Sequence, residues 1–260
     1  MILTTVAILT VSNLSLPASP RIGFAMRGDV VYLGREAADR VEVVRYRKQG
    51  SGWKEEAKLP GKYVGPLSLV ATKTGVIIAD YEAGDIVEYT DAGKQVWKDW
   101  VRYPMRIVGG PDGSVWVLKN SGEIVRKIPE SSKLEPLLGK YGQEIISDSV
   151  LDLAPLPDGS VAAVDEAGRI QKYTRNGGRQ VLATGVEADG LVAVGSSFVA
   201  LKLEPRPRLF QVGGNAAKTL WEAPSSNSVP VSLLVYDART VGLAVDENGR
   251  GVVYLIPVGG

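Results

Sequence analysis

The sequence predicts an all-β fold, a six-bladed β-propeller of four-stranded antiparallel blades, on three observations. A unit of turn, short apolar strand, second turn and partly alternating strand recurs six times in the 260 residues. Its period fits a four-stranded blade, roughly 40–50 residues, better than the shorter solenoid repeats. No stretch sustains the 3.6-residue apolar period of a long helix.

The unit is clearest at 157–173. Asp158-Gly159-Ser160 turns into the apolar run 161–164, which ends at Asp165, and Gly168 leads into Ile170, Gln171, Lys172 and Tyr173. Close copies stand at 112–128, 75–89 and 242–254, with weaker ones at 28–33 and 197–202. Taking Val30, Val76, Val115, Val161, Phe198 and Gly242 as equivalent anchors, the steps are 46, 39, 46, 37 and 44 residues. An inner strand precedes each copy, as at 105–108 and 150–154. An outer strand follows a polar or Gly-rich turn, as at 179–183 after Asn176-Gly177-Gly178. Four short β-rich segments divided by turn signals make one antiparallel sheet.

The ends complete each other. The last unit offers strands at 231–235, 241–245 and 252–257, then stops at Gly259-Gly260, where an outer strand is due. The N-terminal segment 2–16 is expected to supply it, joining the first and last blades and removing two exposed edges. The expected blades are 20–63, 64–104, 105–146, 147–187, 188–230, and 231–260 plus 2–16, in one monomeric domain over 1–260. A competing reading makes 2–11 a secretory signal core before Pro17-Ala18-Ser19. The first basic residue is Arg21, so the usual basic n-region is missing, and Thr4, Thr5 and Thr10 favour a strand. The run is too short to span a bilayer. The compartment stays open.

Composition excludes several chemistries. Thirty basic residues against 29 acidic ones leave a net charge of +1, and the densest basic group is only Arg45, Arg47 and Lys48. A nucleic-acid face is therefore not expected. With no Cys and no His, disulfides, thiolate or imidazole metal sites and Ser-His-Asp triads are ruled out. Any bound metal would need oxygen ligands, which suits calcium, magnesium or manganese.

The order Asp-Gly, apolar strand ending in Asp, Gly, polar residue, Ile and aromatic resembles the NHL-type repeat. It is also similar to the six-bladed propellers of the regucalcin, gluconolactonase and strictosidine-synthase group. The resemblance covers nearly the whole chain as architecture, and its motifs are best at 75–89, 112–128, 158–173 and 242–254. It implies a site at one channel mouth, where the inner strands begin. In the lactonases that mouth holds a divalent cation on acidic and amide side chains.

Counting about nine residues back from each anchor gives the first polar residue of each inner strand: Arg21, Ser68, Arg106, Asp152, Asp189 and Ser232. One reading is a wet mouth closed by Arg–Asp pairs. The other is a pocket in which Arg donors recognise an anionic or hydroxylated ligand. Asp152 and Asp189 are the alternative metal ligands, for calcium or manganese. Arg21 and Arg106 oppose that cation, so no cofactor is expected. The function expected first is a non-enzymatic propeller binding a partner protein or a small polar or anionic ligand at the channel mouth. The alternative is a lactonase-like hydrolase using an oxygen-ligated divalent cation.

Two further groups have structural readings. Asp80, Asp165 and Asp246, which alternate with Lys119 and Lys202 at the strand ends, are expected to cap their own turns. Trp53, Trp97 and Trp221 are expected to pack blade against blade. The segment Trp100-Val101-Arg102-Tyr103 is the better candidate for an exposed aromatic contact.

Overall fold

A computed structural model describes residues 11–129, 131–137, 150–174, 178–213 and 217–259. The segment 2–10, the blade boundary at 146–147 and the turn residues Asn176 and Gly177 lie outside them. The chain opens with β1 (Ser12–Ser15). Blade 1 follows as β2 (Phe24–Arg27), β3 (Val30–Ala37), β4 (Arg40–Gln49) and β5 (Gly52–Lys58). Blade 2 is β6 (Leu67–Ala71), β7 (Gly75–Asp80), β8 (Asp85–Thr90) and β9 (Gln95–Trp100). Blade 3 is β10 (Pro104–Gly109), β11 (Val115–Lys119), β12 (Ile124–Lys127) and β13 (Glu135–Pro136). Blade 4 is β14 (Val150–Pro155), β15 (Val161–Asp165), β16 (Ile170–Tyr173) and β17 (Arg179–Ala183). Blade 5 is β18 (Gly190–Val194), β19 (Ser197–Lys202), β20 (Arg208–Val212) and β21 (Lys218–Glu222). Blade 6 is β22 (Ser228–Asp237), β23 (Thr240–Glu247), β24 (Arg250–Pro257) and, returning from the N-terminus, β1.

The ring is a six-bladed β-propeller of four-stranded antiparallel sheets. It closes through residues inside the expected segment: Ser12 pairs with Leu255 and Ser15 with Val252, and the Leu16 N–H donates to the Gly251 carbonyl at 2.8 Å. Among the described residues, no helix is long and apolar enough to cross a membrane.

Alternation along the second strand of each blade explains where the cores form. In β7, Val76 and Ile78 enter an apolar cluster with blade 1, while Ile77 and Ala79 enter a cluster with blade 3. Successive side chains of a strand point to opposite faces, so a strand between two neighbours is buried on both and reads as a continuous apolar run. Similar clusters fill the seams between blades 3 and 4, 4 and 5, 5 and 6, and 6 and 1. The apolar cores lie in the seams, and the axis is left as a channel.

The Asp-Gly-Ser turn gives the unit its entry. In blades 3 and 4 the carboxylates of Asp112 and Asp158 accept the N–H groups of Ser114 and Ser160 at 3.0 and 3.1 Å. Gly113 and Gly159 sit at φ +82° and +74°, a region that a side chain disfavours. The outer-strand tryptophans tie the seams as expected. Trp53 donates to the Ser15 carbonyl in blade 6 and Trp97 to the Ser132 carbonyl in blade 3, while the Trp221 ring lies 5.1 Å from that of Tyr254. The basic cluster is partly offset, because Arg45 and Arg47 both pair with Glu56.

Several carboxylates are held in their ionised form. The Lys172 ammonium, then the Ser160 hydroxyl, draw Asp158 down from its ordinary value of 3.8 to about 2. Burial would raise Asp165, but the Arg169 N–H and guanidinium and the Gln171 amide outweigh it and hold it below its usual range. Burial likewise opposes, and the Ser19 hydroxyl, the Gly249 N–H and Arg21 overcome it, at Asp246. A carboxylate depressed in the folded state stabilises above its unfolded pKa, and that stability is lost as pH falls through the folded value. The urea midpoint is therefore expected to be level above about pH 5 and to fall progressively between about pH 4 and 2. A midpoint unchanged down to about pH 2 would contradict it.

Candidate functional site

The six residues taken from the sequence do not form one ring. Ser68, Arg106 and Asp152 share a rung, opposite Ala79, Leu118 and Val164, the residues just before each second strand's last position. On the same rung stand Phe24 opposite Leu33, Gly190 opposite Leu201 and Pro230 opposite Val245. Arg21 thus falls three residues early and Asp189 one early, while Ser232 lies one rung further along. The cause is variable spacing. The turn after the inner strand runs from two residues at Gly28-Asp29 to five at 110–114, and irregularities of register at Val231 and Tyr236 add residues between rung and anchor in blade 6.

The three residues on one rung act as struts between blades. Ser68 Oγ accepts the Ile107 N–H at 3.0 Å. Asp152, only 4% exposed, accepts the Leu153 N–H and the Arg106 Nε–H on Oδ1, at 2.9 and 3.1 Å, and the Leu191 N–H on Oδ2 at 2.9 Å. Arg106 then reaches across the channel, donating from Nη2 to the Leu233 carbonyl at 3.1 Å. Blades 3 and 6 oppose each other in the ring, so this side chain forms a bar across the axis.

Arg21 and Asp189 lie elsewhere. Arg21 pairs with Asp246 at 3.1 Å on the seam between blades 1 and 6, with its side chain 57% exposed. Asp189 is exposed and accepts the Leu203 N–H at 2.8 Å, bracing the entry to blade 5. The buried strand-end carboxylates are caps, and two of them also hold a connection between blades, Asp80 the one that enters blade 2 and Asp246 the one that enters blade 1. Asp80 accepts the N–H groups of Val64, Gly65, Glu82 and Ala83. Asp246 accepts from Ser19, Arg21 and Gly249.

A cavity of about 380 Å³ lies in the channel, within the range of about 300–1,000 Å³ common for small-molecule sites. Arg106 and Ser232 stand at its inner end, and it runs past the later part of each inner strand to the turns at Pro111, Pro157, Gly195 and Ala238. Those turn residues are exposed, so the cavity opens on the strand-end face, away from the mouth where the inner strands begin. Its walls are apolar, with Met26, Leu69, Leu153 and Val192 among them. Among the described residues, the polar side chains lining it are Arg106, Ser232 and Asp237. A search for polar inner-strand residues could not find these walls, whose signal is the run of small and aliphatic residues ending each inner strand.

Asp152 and Asp189 do not suit a divalent cation. Asp152 is engaged by the N–H donors of Arg106, Leu153 and Leu191, Asp189 is turned to Leu203, and no group of three carboxylates among the described residues could hold an ion.

No family model matches the chain, and no curated relative matches it. Solved structures do. A putative 6-phosphogluconolactonase from Bacteroides uniformis aligns at TM-score 0.59 and 15% identity, over 89% of this chain and 82% of that one. The WD40 repeats of RRP9 align at 0.58 and 13%, over 91% and 79%. BamB from Moraxella catarrhalis aligns at 0.56 and 13%, over 96% and 98%. At such identities the likeness concerns fold alone, and what these proteins have in common with the chain is the β-propeller.

Proposed function

We propose that this NHL-like propeller is a non-enzymatic binding module that takes a small polar ligand in its central channel, on the Arg106 layer. The supporting observation is the placement of Arg106. Its guanidinium closes the inner end of an apolar cavity that opens to solvent at the other end, and among the described residues it spends two of its five N–H donors, on Asp152 and Leu233. An apolar pocket with a few convergent polar groups is the usual form of a ligand site. The hydrolase alternative would need a cation that the carboxylates here are not arranged to hold.

The test is thermal unfolding with a panel of small amides, alcohols and carboxylates, and separately with calcium, manganese and magnesium. At least one organic class is expected to raise Tm, by about 2.7 kcal/mol of stabilisation at a hundredfold excess over Kd. Arg106→Met should remove the shift. A rise with a divalent cation alone, together with lactone hydrolysis, would replace this reading by the enzymatic one.

A second reading, binding of a partner protein, is favoured by one observation on the other face. Val64, Trp100, Tyr103 and Met105 are 67%, 60%, 39% and 39% exposed around the connections that enter blades 2 and 3. The rings of Tyr81 and Tyr103 lie 5.5 Å apart there.

A further inference from the structure

The charge balance at the inner end of the cavity restricts the ligand further, granted the channel-binding reading above. Arg106 carries one positive charge and Asp152, bonded to its Nε, carries one negative charge. Asp152 is in turn committed to the Leu153 and Leu191 N–H groups, so it is fixed beside the guanidinium. The floor of the cavity is therefore rich in hydrogen-bond donors but has no net charge. Ser232 adds a hydroxyl that bonds to no described residue. The rim carries a negative group, Asp237, exposed and hydrogen-bonded to the Arg239 N–H.

A ligand carboxylate at this floor would bring an uncompensated negative charge between apolar walls and next to Asp152. That is costly, because a buried charge without its own counterion loses its hydration and gains like-charge repulsion. A neutral acceptor meets neither cost. It can take the free Arg106 N–H groups, which are strong donors because the guanidinium is charged, and leave the pair with Asp152 intact.

We infer that the channel is a site for a neutral, mainly apolar molecule with one carbonyl acceptor, such as an amide, ketone or ester. The carbonyl rests on Arg106 and Ser232. The apolar body follows the inner strands toward the strand-end mouth, by which it enters.

Matched probes decide this: hexanamide, 2-heptanone and hexanoate, titrated calorimetrically into the full chain at neutral pH. Hexanamide and 2-heptanone are expected to bind, with hexanoate at least about tenfold weaker, which corresponds to about 1.4 kcal/mol. Arg106→Met should weaken hexanamide by about tenfold or more. Asp152→Asn leaves the floor with a net positive charge and should reverse the order in favour of hexanoate. Should that variant fail to fold, Ser232→Ala replaces it and should weaken hexanamide and 2-heptanone while leaving the preference over hexanoate. Hexanoate binding the wild-type chain as tightly as hexanamide overturns the neutral-ligand class but leaves a channel site standing. No binding by any probe or panel member overturns the channel site itself.

Discussion

Asp152→Ala is expected to destabilise the propeller by about 3–5 kcal/mol, the range for breaking a buried ion pair from one side. The substitution leaves Arg106 in the channel without its counter-charge and strips acceptors from the Leu153 and Leu191 N–H groups. Each unsatisfied buried donor costs about 1–3 kcal/mol. The Arg106 side chain is 21% exposed, so water relieves part of the penalty. The result is expected toward the lower end. At roughly 2–4 °C per kcal/mol for a chain of this size, Tm should drop by about 6–12 °C. Asp189→Ala is the control, since its exposed carboxylate serves one N–H group at 2.8 Å and should cost about 1 kcal/mol or less. Urea unfolding of both variants separates them. Equal midpoints would show that Asp152 is not the strut its contacts describe. The double variant Asp152→Ala with Arg106→Met should recover part of the loss, because it removes the stranded charge.

This contrast shows what was legible in the sequence and what was not. The six-fold repeat was legible because it is written in residue types that physics restricts. The Asp-Gly turns require a left-handed residue at Gly113 and Gly159, and the second strands, buried on both faces, must be apolar along their middle. The site was legible only on one rung. Ser68, Arg106 and Asp152 fell together because their blades depart from the counted spacing in ways that the count absorbed. Arg21 and Asp189 did not, since the two-residue turns at Gly28-Asp29 and Gly195-Ser196 shorten the distance from anchor to rung. In blade 6 the longer β22–β23 hairpin and its irregularity at Tyr236 shift the count the other way, which leaves Ser232 on the cavity floor. Turn length and strand irregularities leave weak marks in sequence, because most polar residues suit a turn equally well. The bar across the axis was not readable at all. It joins Arg106 to a backbone carbonyl, and the Leu233 carbonyl says nothing through its residue type.

The strand that closes the ring makes the second large prediction. Removing residues 1–16 is expected to cost about 4 kcal/mol and to promote self-association. The ladder to β24 and the Leu16 N–H bond to Gly251 disappear, at about 0.5–1.5 kcal/mol per hydrogen bond. The half-buried packing of Leu14 and Leu16 in the seam between blades 6 and 1 goes as well, at about 1 kcal/mol each. Trp53 loses the Ser15 carbonyl. What remains is a long, unpaired β24 edge, which is a template for pairing with another chain. The burial of β1 explains the mechanism. Ser12, Asn13 and Ser15 are exposed and only Leu14 is tucked in, so this strand contributes mainly backbone pairing and little apolar area. Apolarity is therefore a poor guide to it, although the strand lies within the expected segment 2–16. Size-exclusion chromatography and thermal unfolding of the truncated chain test the prediction, with a synthetic peptide covering 11–19 added in trans. Restoration of Tm and of the original elution volume by the peptide is the expected result. A truncated chain that melts and elutes like the full one would show that blade 6 stands without its fourth strand, and that the six seams alone hold the ring.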